Sequence, residues 1–173
     1  MVARDFSLKG ADGREYSLSD FSGAKILVMI FMCNHCPYVL AVLERLVGLA
    51  GEFSSCGVQF VGINSNIGSP GYEEEESANK MQGLIEEYGI NFPYLIDDSQ
   101  ETAKTYQAQC TPDIYVFDEE RKLAYHGRID DNWKEPAKVS QKDLSMAIRA
   151  LLKGEKPTRE QRPSMGCSIK WKA

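Results

Sequence analysis

Cys33 and Cys36 are separated by Asn34 and His35 and followed at once by Pro37. Two thiols at that spacing can share the opening turn of one helix and close into a small disulfide ring, so the chemistry indicated is redox. A helix N-terminus carries partial positive charge, and a sulfur held there is favoured as the thiolate that attacks disulfides. Cys33, expected to be the more exposed sulfur, is assigned as nucleophile. Cys36, one turn deeper, is assigned to resolve the mixed disulfide. His35 adds an N–H or cationic donor that would favour the thiolate and make the pair more oxidising. A zinc centre would need a second ligand pair, and only scattered Cys56, Cys110, Cys167 and His126 are available beside His35. No metal ligand set is assigned.

The elements around the pair follow from hydrophobic patterning. Residues 26–32 are apolar at every position, as in a strand buried on both faces. Val39, Leu40, Val42, Leu43, Leu46, Val47 and Leu49 recur at helical spacing after it, to about Phe53, and Pro37 suits the first turn of that helix. Residues 57–63 read as a second strand, parallel to the first through a βαβ crossover. Further on, the pattern predicts a helix from within 73–76 to about Tyr88, a strand at 93–96 and a helix capped by Ser99. A hairpin over 114–118 and 122–126 and a last helix ending at Gly154 complete it. Residues 4–22 form an extended lead-in. The order suggests an α/β fold with a mixed central sheet flanked by helices.

Size and charge exclude several function classes. The 173 residues fit one domain, and the formal net charge of −5 offers no basic footprint for nucleic acid. No apolar stretch approaches the roughly 20 residues of a membrane-spanning helix. The polar start, without a leader, and the odd count of five cysteines argue for redox use rather than a disulfide framework. A cytoplasmic location is expected.

Cys110-Thr111-Pro112-Asp113 precedes the late strand. With the strand–CxxC–helix start, the hairpin and the final helix, it resembles the thioredoxin fold over about residues 4–153. The lead-in and the insertion between Ser65 and Phe92 resemble the redoxin branch, which includes peroxiredoxins and TlpA/ResA-like proteins. The resemblance implies that Pro112 is the cis-proline facing the cysteine pair and that the backbone of Thr111 pairs with an extended substrate. Asn34-His35 replaces the usual Gly-Pro of thioredoxin and resembles the Pro-His of the oxidase DsbA. The Thr-x-x-Cys-Pro pattern of peroxiredoxins is matched with Cys33 at the threonine. Pro112 aligns with their late arginine, so efficient peroxide reduction is not expected.

The function implied is thiol–disulfide exchange by Cys33 and Cys36, with Asn34, His35 and Pro37 tuning the pair and no cofactor beyond its disulfide. Expected partners are protein or small-molecule disulfides and a thiol or reductase electron donor, with neither nucleic acid nor membrane. Alternatives are a peroxiredoxin-type thiol peroxidase and a copper-binding protein of the Sco type. Residues 1–154 form the domain and 155–173 a tail. Ile169 and Trp171 are expected to dock that tail, bringing Cys167 within reach of a redox partner such as Cys110. Cys56 reads as a bystander, residues 73–76 as a solvated first turn, and Asp97-Asp98 and Asp130-Asp131 as turn residues. His126, on the outer strand, has no evident triad partner.

Overall fold

The computed structural model describes residues 1–172. At its centre is β3 (Ile26–Phe31), with every side chain buried. Its alternate residues feed two separate cores, as the period of two along a strand requires. Ile26, Val28 and Ile30 enter one core and Leu27, Met29 and Phe31 the other. The unbroken apolar run in the sequence therefore reflects two covered faces.

β4 (Val58–Asn64) lies parallel to β3, and β7 (Asp113–Phe117) lies antiparallel on its other side. β5 (Tyr94–Ile96), β1 (Ser7–Gly10) and β2 (Glu15–Ser17) extend the sheet one way and β8 (Leu123–Gly127) the other. The strand order is β2-β1-β5-β4-β3-β7-β8. Both the lead-in and the closing hairpin thus join the main sheet at its antiparallel edges.

Three helices cover one face. α1 (Pro37–Phe53) buries Val39, Val42, Leu43, Leu46, Ala50 and Phe53, a stripe at spacings of three and four. α2 (Ala78–Tyr88) adds Met81 and Leu84, and α4 (Asp143–Leu152) adds Leu144, Ala147 and Ile148 to the same core. The short α3 (Glu101–Tyr106) packs Ala103 and Tyr106 into the other.

Two helix starts differ from the sequence pattern. α2 begins after the acidic run, because Ser77 is its N-cap and its hydroxyl accepts from the Lys80 N–H at 3.2 Å. Glu76 is thereby left outside the helix and turns inward, 0 % exposed, whereas Glu73 to Glu75 stay in solvent. α3 begins one residue later than a Ser99 cap would give. Asp97, expected as a plain turn residue, is buried and its carboxylate accepts from the N–H groups of Thr102 (3.2 Å) and Ala103 (2.9 Å).

The segment after α4 folds back over the body. β9 (Cys167–Ser168) pairs antiparallel with β6 (Cys110–Thr111), setting Thr111 opposite Cys167 and Cys110 opposite Ser168. Ile169 is 3 % exposed within the second core, but Trp171 is 42 % exposed, so only the first of the two expected anchors is buried. Ala173, the last residue of the expected tail, lies outside the described residues.

The Asp97 carboxylate also accepts from Ser65 Oγ at 2.7 Å, tying the end of β4 to α3. Asp97→Ala strands three buried donors, and a loss of about 1–3 kcal/mol is expected. Urea unfolding measures it, and an unchanged midpoint would contradict this role.

Candidate functional site

The apolar β3 delivers Cys33 to the C-terminal end of the sheet, and α1 starts four residues later. Cys36 is the N-cap of α1, in extended backbone, and Pro37 occupies the first helical position, where no N–H is required. Across from them the Thr111–Pro112 peptide bond is cis. Thr111 meets both sulfurs: its Oγ1 lies 3.5 Å from Cys33 Sγ, and its carbonyl oxygen lies 3.3 Å from Cys36 Sγ.

Neither sulfur is open to solvent. Cys33 is 1 % exposed and Cys36 0 %, so the expected difference in exposure is absent. The two sulfurs also differ in their electrostatic surroundings. Cys36 is held down to about 4, first by the thiol of Cys33, which donates to it, and against the opposing effect of burial. The Cys167 thiol and the Val39 N–H in the open first turn of α1 add to this stabilisation. Cys33 is pushed far above the ordinary thiol range by its hydrogen bond to Cys36, by burial and by the charge of Glu76. Cys36 caps the helix, and Cys33 lies before it, beside the Glu76 carboxylate, which disfavours a charge on Cys33.

Glu76, missed in the sequence, organises the segment between the cysteines. Its Oε1 accepts from the Asn34 N–H (2.9 Å) and Asn64 Nδ2 (3.0 Å), and its Oε2 from the His35 N–H (3.1 Å). His35 Nδ1 also hydrogen-bonds Glu76, and the imidazole stacks on Tyr72 with centroids 4.4 Å apart. The donor expected to act on a sulfur is therefore directed at a carboxylate. The side chain of Asn34 is fixed by Tyr94 Oη (2.9 Å) and the Glu75 carbonyl (3.1 Å). An acidic residue 42 positions from its partner carries no local sequence signal beyond the run it ends.

Cys33, His35 and Glu76 each offer one ligand atom, all within 4.8 Å. The three do not fit a metal centre as arranged, since His35 Nδ1 and the Glu76 oxygens are engaged with one another and with backbone donors. Cys110 sits beside the site but is pushed up to about 12 by burial and by the charge of Asp113, and its thiol points to the Pro112 carbonyl at 3.7 Å. Cys167 packs against the buried cluster that includes Cys33 and Cys36. Cys56 is exposed, away from the pair. His126 has a partner after all: its Nε2 lies 2.6 Å from Asp113 Oδ1, and its ring stacks on Tyr115. Asp130, expected in a turn, is buried and pairs with Arg45 at 2.7 Å.

The charge on Cys36 has a thermodynamic signature. In the folded chain it ionises near 4, against 9.0 for an ordinary thiol. Between those values the unfolded chain holds one proton more, so this group makes stability rise with pH across that window. Cys33 acts oppositely above 9.0, where the unfolded chain loses a proton that the folded one keeps. The stability difference between reduced wild type and Cys36→Ala should therefore widen from about pH 4 to about pH 9 and narrow beyond. A difference independent of pH would contradict an ionised Cys36. Thiolate absorbance in the far ultraviolet should likewise persist into mild acid and vanish in Cys36→Ala.

The AhpC/TSA family profile matches residues 1–126. The thiol-disulfide oxidoreductase ResA of Halalkalibacterium halodurans is 24 % identical over 127 residues, covering 73 % of this chain and 63 % of that protein. The chain thus spans less than two thirds of the length of that curated relative. A hypothetical protein from Sinorhizobium meliloti 1021, known from its crystal structure, is 40 % identical. It superposes over 100 % of this chain and 94 % of its own with a TM-score of 0.94. A secreted disulfide oxidoreductase of Mycobacterium tuberculosis, 18 % identical, covers 86 % of this chain and 95 % of its own and shares the fold with a TM-score of 0.63. Sheet order, cis-proline and profile agree, and the chain belongs to the AhpC/TSA family, with the thioredoxin-like fold of its redoxin, TlpA/ResA-like members.

Proposed function

We propose that the protein is a thiol–disulfide oxidoreductase whose Cys33 and Cys36 interconvert between dithiol and disulfide. The observation that carries this reading is the Cys36 sulfur at the open first turn of α1. It caps that helix and, with Cys33, lies against Thr111 beside the cis Thr111–Pro112 bond. The relation to a thiol-disulfide oxidoreductase supports it.

The roles follow the charge. The Cys36 thiolate attacks one sulfur of a substrate disulfide, forming a mixed disulfide and expelling the other half as a thiolate. Cys33 then attacks the Cys36 sulfur, giving up its proton to the departing thiolate and releasing the second half of the substrate. Two electrons have passed from the pair to the substrate, and an external dithiol or reductase returns them. Both sulfurs lie against Thr111, which keeps the second step local. Substrates would be protein or small-molecule disulfides.

Peroxide chemistry is less well supplied. Cys33 stands where peroxiredoxins have threonine and Pro112 where they have arginine. Arg45 and Arg128 are paired with Asp130 and Asp143.

Insulin reduction driven by dithiothreitol tests the assignment. Wild type should accelerate precipitation, and Cys36→Ser should fall to background, a loss of ~100-fold or more for a nucleophile. Cys33→Ser cannot form the Cys33–Cys36 disulfide and should turn over more slowly than wild type. Full turnover by Cys36→Ser would refute the roles, and no acceleration by wild type would refute the activity.

A further inference from the structure

The pair is buried because the chain itself covers it. β9 runs along β6 in antiparallel register, with Cys167 directly opposite Thr111, whose side chain and carbonyl touch Cys33 and Cys36. The approach is close: a Cβ added to Gly166 would lie 2.3 Å from the Thr111 oxygen and 2.8 Å from its carbonyl carbon, so glycine is required there. Polar contacts on both sides fix the strand. Ser164 Oγ donates to the Gly127 carbonyl at 2.8 Å, and Ile169 N–H to the Gln109 carbonyl at 3.0 Å. Lys170 N–H donates to Asn66 Oδ1 at 2.9 Å, and the Lys170 carbonyl accepts from Ser69 Oγ and Gln100 Nε2, each at 2.9 Å. Within this frame Cys167 packs against the buried cluster that holds Cys33 and Cys36, and the Cys167 and Cys36 thiols influence each other electrostatically. Cys36 therefore has two thiol neighbours, one from its own loop and one from β9.

We propose that residues 164–170 are an internal substrate strand, occupying the groove along Thr111 that an extended disulfide-bearing peptide would use, and that Cys167 is a third redox cysteine forming a disulfide with Cys36. This deepens the exchange reading and rests on it. With oxidised glutathione as the external disulfide, the Cys36 thiolate takes one glutathione half and expels the other as thiolate. Cys167 gives its proton to that thiolate and attacks Cys36, and the second glutathione leaves. One Cys36–Cys167 disulfide and two glutathione thiols result, with two electrons moved from the protein to glutathione. Cys33 can then attack Cys36 and release Cys167, an isomerisation that moves no net electrons and frees the strand from its covalent link. External substrates reach the pair when this strand leaves the groove.

The test uses the full chain carrying Cys33→Ser, reduced, exposed to oxidised glutathione and trapped with N-ethylmaleimide. Peptide mass mapping should find Cys36 joined to Cys167, with both glutathione halves released. Adding Gly166→Val, which pushes β9 off Thr111 without touching a sulfur, should slow this closure roughly tenfold or more, because a merely tethered thiol loses its positioning. Glutathione would then persist on Cys36. Persistent glutathione on Cys36 with Cys167 alkylated, while Gly166 is intact, would overturn the proposal, as would equal closure rates with and without Gly166→Val. Wild type is assayed in parallel. If it turns over insulin and closes Cys33–Cys36 while Cys167 stays free in Cys33→Ser, the internal strand is wrong and the exchange reading stands. If glutathione never reacts at Cys36 in either protein, the exchange reading fails and the strand with it.

Discussion

A sulfur anion out of contact with water must find its stabilisation in fixed dipoles, and the site is arranged around that requirement at Cys36. Burial alone would raise the thiol, as it does at Cys110. At Cys36 the balance reverses because thiol hydrogens arrive from Cys33 and Cys167 and an N–H from the first turn of α1. Each donor is brought by a different part of the chain: the end of β3, the returning strand β9 and the helix itself. The two cores have a common purpose in this light, since they hold the ends of β3, β6 and α1 at the separations this cluster needs.

Glu76 exerts the second constraint. The residues between the cysteines contribute two backbone N–H groups and an imidazole, and one buried carboxylate accepts from all three. The same negative charge disfavours a thiolate at Cys33. A single residue from the segment before α2 thus shapes the loop and biases which cysteine ionises. This is differential electrostatics within one motif, set by what stands outside it.

What could be read in the chain alone divides along sequence separation. The strand at 26–31, the pair, the helix from Pro37 and the hairpin were legible because each is specified by neighbours within a few residues. The cis-proline was legible through resemblance. The polarity of the pair was not. It depends on Glu76, about 40 residues from Cys33, and on Cys167, 131 residues from Cys36, neither of which has a local pattern pointing at the motif. The docked strand was half legible: Ile169 is buried as its type suggests, but Trp171, the larger apolar side chain, remains at the surface. The His126–Asp113 pair was invisible because β7 and β8 bring the two together only in register.

The family profile stops at residue 126, yet α4 fills one core and β9 touches Cys36. An expression clone trimmed to the profile boundary would lack a core helix and one of the donors to the reactive sulfur, with Thr111 laid bare. Its cysteines would then react as those of a different molecule. Limits drawn from shared ancestry and the limits of the folded body do not coincide here, and a reading confined to the shorter span would overlook the strand laid along Thr111.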